Sequence, residues 1–217
     1  MTVIAVNGSP RKNWNTHILL QKALEGAESQ DAAVELVHLR DLDYSGCIAC
    51  LECKRKGGRS RGKCAVKDGL TPVLEKITAC DALIIGSPIY FGEVTGMTRS
   101  FMERLLFQNI SYDMDRTPLT KRRIQTAFVY AMNVADSQLE PVGYADRFKA
   151  NEMLLTRILG PSRTLVCTET LQTNDYGKYH MSMFDEAERR QRRKDVFPLD
   201  CQKAFDMGAD MAAHANT

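Results

Sequence analysis

The 217-residue sequence has no apolar run near the length of about 18 residues that a membrane-spanning helix needs. No membrane partner is expected. Its formal net charge of +2 is too small to argue for a nucleic-acid partner. Proline is sparse, at 7 residues, and tryptophan occurs once. With no repeat, low-complexity tract or linker-like stretch, one domain over residues 1–217 is expected. The opening "MTVIAVNGSPRKN" lacks the basic start, long apolar core and small-residue cleavage site of a secretory signal, so the expected location is cytoplasmic. The 7 cysteines are an odd number, and in a reducing compartment a disulfide framework is disfavoured. The first glycine loop, "NGSPRKNWNT", fits neither G-x-x-x-x-G-K-[ST] nor G-x-G-x-x-G, which disfavours a nucleoside triphosphate or a Rossmann dinucleotide there.

What is present is an alternation of short β-branched runs with longer amphipathic segments, the pattern of a parallel sheet flanked by helices. Strands are expected at 3–8, 34–39, 82–90, 123–133 and 163–170, with the third ending in a Ser-Pro turn. Helices are expected at 15–29, 69–80 with Pro72 in the first turn, 96–107, 143–159, 185–196 and 200–215, the last two interrupted at Pro198. Residues 108–122 are the least regular and read as a surface loop. The elements make a three-layer α/β sandwich.

Two loops lie at the ends of strands, where open parallel sheets bind ligands. After the first strand, Ser9, Asn15 and Thr16 supply hydroxyl and amide groups and Arg11 a charge, in front of a helix whose unpaired N–H groups attract an anion. A capped turn would need only one such residue. After the third strand, "SPIYFG" offers Tyr90 and Phe91 as flat apolar contacts and Gly92 as a point of close backbone approach. Met132 and Asn133, at the end of the fourth strand, are placed to offer backbone groups to the same ligand, and His17 lies within reach of the anion seat.

The stretch "GCIACLECKRKGGRSRGKC" places Cys47, Cys50 and Cys53 at a strict three-residue step and Cys64 after ten more residues. Thiolates at a C-x₂-C-x₂-C step can wrap one iron-sulfur cluster, with Cys64 as a fourth ligand. A zinc loop, a redox dithiol and a metal-free loop are the alternatives; zinc sites more often pair two separated C-x₂-C units. Lys54, Arg55, Lys56, Arg59, Arg61 and Lys63 crowd this loop. Cys80, Cys167 and Cys201 read as small core hydrophobes, and "ERRQRRK" (188–194) as a solvated helix face.

"NGSPRKNWNT", "GSPIYFGEVTGMTRSFMER" and the cysteine run between them resemble the NAD(P)H-dependent FMN reductases of flavodoxin-like fold, and within them the iron-sulfur flavoproteins, over about the first 105 residues. The resemblance implies a five-stranded parallel sheet in the order 2-1-3-4-5. It implies FMN with its phosphate held by Ser9, Arg11, Asn15 and Thr16 and its ring against Ser87, Pro88, Ile89, Tyr90, Phe91 and Gly92. It also implies a [4Fe–4S] cluster on Cys47, Cys50, Cys53 and Cys64, and a homodimer or homotetramer. Two departures stand out: the gap before Cys64 is longer than the family's, and Trp14 stands where the family has a small residue.

The expectation is an FMN-dependent oxidoreductase that relays electrons between cluster and flavin, with NAD(P)H or a ferredoxin as donor. The flavin carries the chemistry, so no catalytic side chain is required. A cluster-free NAD(P)H-dependent FMN, quinone or azo reductase is the alternative reading. A zinc-bound module that grips a protein or nucleic-acid partner is another.

Overall fold

The computed structural model describes residues 1–120 and 122–214. Position 121 of the irregular stretch and the expected helix end at 215 lie outside the described residues. Strand β1 (Thr2–Asn7) leads to α1 (Asn15–Glu28), β2 (Ala33–His38), α2 (Thr71–Ala79) and β3 (Ala82–Tyr90). There follow β4 (Glu93–Val94), α3 (Gly96–Asn109), β5 (Gln125–Ala131), α4 (Tyr144–Ile158), β6 (Ser162–Cys167), α5 (Glu186–Asp195) and α6 (Phe197–Ala213). The long strands run parallel in the order β2-β1-β3-β5-β6, which is 2-1-3-4-5 once the short β4 is set aside. This is the order of flavodoxin-like sheets.

Strands covered on both faces should be apolar without alternation, and Val3 to Val6 and Ala82 to Ile85 are each no more than 1% exposed. One core lies under α2, α3 and α4, around Phe101, Leu105, Phe128 and Tyr130. The other lies under α1 and α6, around Leu19, Leu20, Ala204 and Met211. The α1–α6 crossing is tight enough that a Cβ on Gly208 would sit 1.8 Å from the Ala23 carbonyl oxygen.

Three expectations need correction. Ser87 and Pro88 do not form a turn: β3 runs through them to Tyr90, with Pro88 opposite Ala131, and the chain reverses at Phe91 and Gly92 instead. Both of those residues have positive φ, 51° and 81°, as a two-residue hairpin loop requires, and the return strand is β4. The break between the last two helices falls at Val196 rather than at Pro198, which occupies the first turn of α6, where a missing N–H costs no hydrogen bond.

The third correction concerns "ERRQRRK", on α5, which is solvated at Glu188, Arg190, Gln191 and Lys194 but turns Arg189, Arg192 and Arg193 toward the protein. Arg189 pairs with Glu169 at 2.8 Å and Arg192 with Asp200 at 2.7 Å, and each arginine side chain is only 12% exposed. Arg193 lies 3.9 Å over the Phe197 ring. Carboxylates distant in sequence supply the countercharges that let these arginines turn inward.

Candidate cofactor sites at the two ends of one helix

The carboxyl ends of β1, β3 and β5 open onto a cavity of about 270 Å³. Ser9, Arg11, Trp14, Asn15 and Thr16 line it from the first loop, and Pro88, Ile89 and Tyr90 from the end of β3. Ala131, Met132, Asn133, Thr170 and Gln172 complete it. Seven of the ten residues expected to hold a flavin are thus brought together. Ser87 is fully buried beneath, where its Oγ accepts from the Thr95 N–H at 3.1 Å. Phe91 is fully exposed at the hairpin tip, and neither it nor Gly92 lines the cavity.

The first loop is held from below by α3. The Gly8 N–H donates to the Gly86 carbonyl at 2.8 Å, and Thr95 Oγ1 donates to the Gly8 carbonyl at 2.7 Å. A Cβ on Gly8 would come within 1.8 Å of Thr98 Oγ1, so only glycine lets strand and helix approach this closely. Ser9 donates its N–H to Asn7 Oδ1 at 2.9 Å and accepts from the Arg11 N–H at 3.1 Å.

Asn15 is engaged at both ends of its amide: Nδ2 donates to the Leu171 carbonyl at 2.8 Å, and Oδ1 accepts from Arg193 Nη1 at 2.7 Å. The Trp14 indole N–H also donates to the Leu171 carbonyl, at 3.1 Å, which turns this ring into a wall of the cavity. Trp14 precedes α1 without capping it through its side chain, and no acidic residue stands in the first turn. The open N–H groups and positive dipole end of α1 therefore face the loop uncompensated.

His17 stacks on His38 with ring centroids 5.3 Å apart. Burial pushes both below the ordinary histidine value, which favours the neutral imidazole. Asn7 Nδ2 lies 3.1 Å from His38 Nδ1, and since an amide nitrogen can only donate, the imidazole nitrogen accepts.

Sequence reasoning looked to the backbone of Asn133, but its side chain carries the stronger signal. Both Oδ1 and Nδ2 are shielded from solvent and make no hydrogen bond within the protein, at a residue that lines the cavity. Such a group costs roughly 1–3 kcal/mol unless something pairs with it.

At the other end of α3, Cys47, Cys50, Cys53 and Cys64 line one small cavity of about 20 Å³ together with Leu51, Val66, Arg104 and Gln108. All four thiols are free. Burial pushes the Cys53 thiol up, Lys54 opposes this, and the charges of the other three thiolates add to it. Among the described residues, no group of three or more His, Cys, Asp or Glu is spaced to hold a single metal ion. Between the cysteines, Ala49 and Leu51 take positive φ, 54° and 60°, which non-glycine residues adopt only under tertiary constraint.

That constraint comes mostly from α3. Glu103 Oε2 accepts from the Cys47 N–H at 3.1 Å and Gln108 Oε1 from the Cys64 N–H at 2.9 Å. Lys54 Nζ donates to the carbonyls of Phe107 and Gln108 at the end of the helix and of Ile110 just beyond it. The Gly62 N–H donates to the Cys53 carbonyl at 3.0 Å, folding the long spacer back so that Cys64 returns to the other three.

Arg104, which no sequence signal marked, is 1% exposed at the centre. Its fork meets Asp68 at 2.8 and 3.3 Å. Burial pushes the Asp68 carboxyl up, and hydrogen bonds from Arg104 and the Leu70 N–H, with the Arg104 charge, more than reverse this and hold it below its ordinary value. An arginine on an amphipathic helix reads as solvent-facing until the loop that covers it is seen.

With this geometry in view, comparison with known proteins is informative. The family model described as NADPH-dependent FMN reductase matches residues 1–139. The chain belongs to the NADPH-dependent FMN reductase family. An iron-sulfur flavoprotein of Archaeoglobus fulgidus is 38% identical over 104 residues, 48% of this chain and 48% of that protein. One of Methanocaldococcus jannaschii is 36% identical over 104 residues, 48% of this chain and 51% of its own length. The matched region thus spans about half the length of these curated relatives.

Among solved structures, an NAD(P)H:quinone oxidoreductase from Methanothermobacter marburgensis aligns with a TM-score of 0.70 at 14% identity, covering 97% of this chain and 98% of that one. An FMN-dependent NADH-azoreductase of Bacillus anthracis in complex with FMN aligns with a TM-score of 0.64 at 12% identity, covering 98% of this chain and 100% of that one. At these identities the likeness establishes the fold of this FMN reductase family member. No helix among its described residues is long and apolar enough to cross a membrane.

Proposed function

We propose that this protein is an FMN-dependent oxidoreductase that relays electrons between a [4Fe–4S] cluster and FMN. The observation that carries the reading is the placement of two different cofactor-type sites on one 14-residue helix, α3, whose N-cap and first turn meet the first loop and whose second half holds the cysteine loop. Thr95 and Thr98 meet the first loop, while Glu103, Arg104 and Gln108 hold the cysteine loop.

FMN suits the sheet-edge cavity. Ser9, Thr16 and the N–H groups at the start of α1 would seat the phosphate, with Arg11 adding charge at the rim. Pro88, Ile89 and Tyr90 would lie against the ring, and the buried amide of Asn133 has one donor and one acceptor group for its pyrimidine edge. When bound, the flavin supplies the exchange of two electrons for one. The protein's part is to seat it, to keep water from one face and to hold Asn15 and Asn7 in fixed hydrogen bonds beneath it.

A cluster suits the cysteine loop by its donor set: four free thiols on one cavity, on a backbone bent by Ala49 and Leu51. Each iron takes one thiolate, so the thiols need not close in as they would around one ion. Cys50, exposed at the rim, can give way more readily than buried Cys53.

We further read residues 1–217 as one domain, NAD(P)H or a ferredoxin as electron donor, and the assembly as a homodimer or homotetramer. Free thiols on a cysteine-rich loop favour the reducing cytoplasm. The test is the visible spectrum of protein prepared without oxygen, before and after dithionite, with iron and acid-labile sulfide content. Flavin bands plus a bleachable broad absorption and four irons per chain are expected. Flavin bands without iron after reconstitution would leave a cluster-free reductase, and neither chromophore would sink the reading.

A further inference from the structure

The sequence leaves open whether Cys64, ten residues beyond the C-x₂-C-x₂-C run, belongs to the cysteine site. Arg104 answers this. A guanidinium has five N–H donors and no acceptor, and every one of the five has a partner. Nε donates to Cys64 Sγ at 2.9 Å. Nη1 donates to the Ser45 carbonyl at 3.0 Å and to Asp68 Oδ2 at 2.8 Å. Nη2 donates to the Val66 carbonyl and to Asp68 Oδ1, both at 3.3 Å.

These partners come from both feet of the loop, Ser45 before the first cysteine and Cys64, Val66 and Asp68 at and after the last. One side chain, 1% exposed and fixed on a regular helix, therefore closes the loop and aims at one of its sulfurs. A planar fork held by a carboxylate and two carbonyls has no freedom to swing away, so its Nε–H stays directed at Sγ. Lys54 also lies beside Cys53 and Cys47, but its ammonium is shared with the carbonyls of Phe107, Gln108 and Ile110, whereas the Arg104 Nε–H has Cys64 Sγ as its partner.

We propose that Arg104 is the positioning residue that makes Cys64 the fourth cluster ligand and sets the potential of the site. This rests on the cluster reading above. The guanidinium holds Cys64 Sγ in place before any metal arrives, which removes the entropic cost of recruiting a ligand across a long glycine-containing spacer. A buried cation that donates to a ligand sulfur also favours the more electron-rich state, because hydrogen bonds to the sulfurs withdraw negative charge. Arg104 touches no flavin, so its effect is confined to the cysteine end of α3.

The experiment compares wild type with Arg104→Lys after anaerobic reconstitution, measuring iron and sulfide per chain and the midpoint potentials of cluster and flavin separately. Lysine keeps the charge and the helix but cannot serve the carboxylate, the carbonyls and Sγ together. The expected result is a lower iron content, or a full cluster with a lower midpoint potential, while the flavin potential stays at the wild-type value. Should Arg104→Lys fail to fold, Asp68→Asn loosens the same fork with all four thiols in place, and a lower iron content than wild type is expected. Equal iron and equal cluster potential in the variant would overturn the role of Arg104 while leaving the relay intact. A wild-type chain that takes up no iron would overturn both.

Discussion

The two ends of α3 are built on opposite plans. At the amino end, the candidate flavin site is made of strand ends in register: Gly8 hydrogen-bonds to Gly86 across β1 and β3, and buried Ser9, Asn15 and Thr16 follow directly. At the carboxyl end, the cysteine loop has no strand or α-helix of its own, and Ile48 and Leu51 on it are 64% and 53% exposed. Its geometry is imposed from outside, by Glu103, Arg104 and Gln108. The first site is fixed by sheet topology and the second by a few side chains of one helix. A substitution should therefore damage one end and spare the other.

The largest effect is expected for Arg104→Met. Removing one partner of a buried pair leaves the other uncompensated and costs about 3–5 kcal/mol. The lower end applies, since the Asp68 side chain keeps 16% of its exposure to water. Chemical unfolding should show that loss, and folded protein at low temperature should still bind FMN. Gly8→Ala is the mirror image. Its new methyl would collide with Thr98 Oγ1, and forcing atoms into a packed site costs about 1–3 kcal/mol. Fluorescence titration should show FMN affinity falling sharply while iron uptake by the cysteine loop is retained. If Gly8→Ala abolished iron uptake in folded protein, the independence of the two ends would be wrong.

Asn133→Ala sharpens the comparison within the flavin end. If the orphaned amide pairs with the flavin, its loss should weaken FMN by about tenfold, the equivalent of one hydrogen bond of roughly 1.4 kcal/mol. The same change should leave the apo protein no less stable, because a buried group without a protein partner is being removed.

The smallest effect concerns pH. His17 and His38 have folded values below the ordinary 6.5, so the unfolded chain binds protons more readily. Their contribution is fully present above about pH 6.5 and declines as pH falls toward the folded values. Protonated His38 can no longer accept from Asn7, whose Oδ1 orients Ser9, so FMN affinity should weaken over the same range. His38→Gln, which can still accept a hydrogen bond, should flatten that dependence.

Much of this was legible in the sequence because parallel strands, glycine turns and helix starts are local. The run "ALIIGSPIY" reads as a buried strand, and β3 covers those nine residues. The C-x₂-C-x₂-C step likewise announces a shared cavity. The Ser-Pro pair misled because Pro88 sits in a strand interior, tolerated only where β3 outruns part of its pairing. Arginines were the least legible. Arg104, Arg189 and Arg192 carry the same side chain as any surface arginine, and their burial depends on Asp68, Glu169 and Asp200, none of them on the same helix.

The sequence by itself determined the order of elements, the apolar strands, the phosphate-type loop and the spacing of the first three cysteines, since each depends on interactions within a few residues. Only the tertiary structure decided that Cys64 joins them, that Asn133 presents an unpaired amide to the cavity and that Arg104 ties the cysteine loop shut. Those outcomes depend on groups tens of residues apart meeting in a water-poor interior. There an unpaired charge or amide is costly, and the partner that satisfies it is set by the fold.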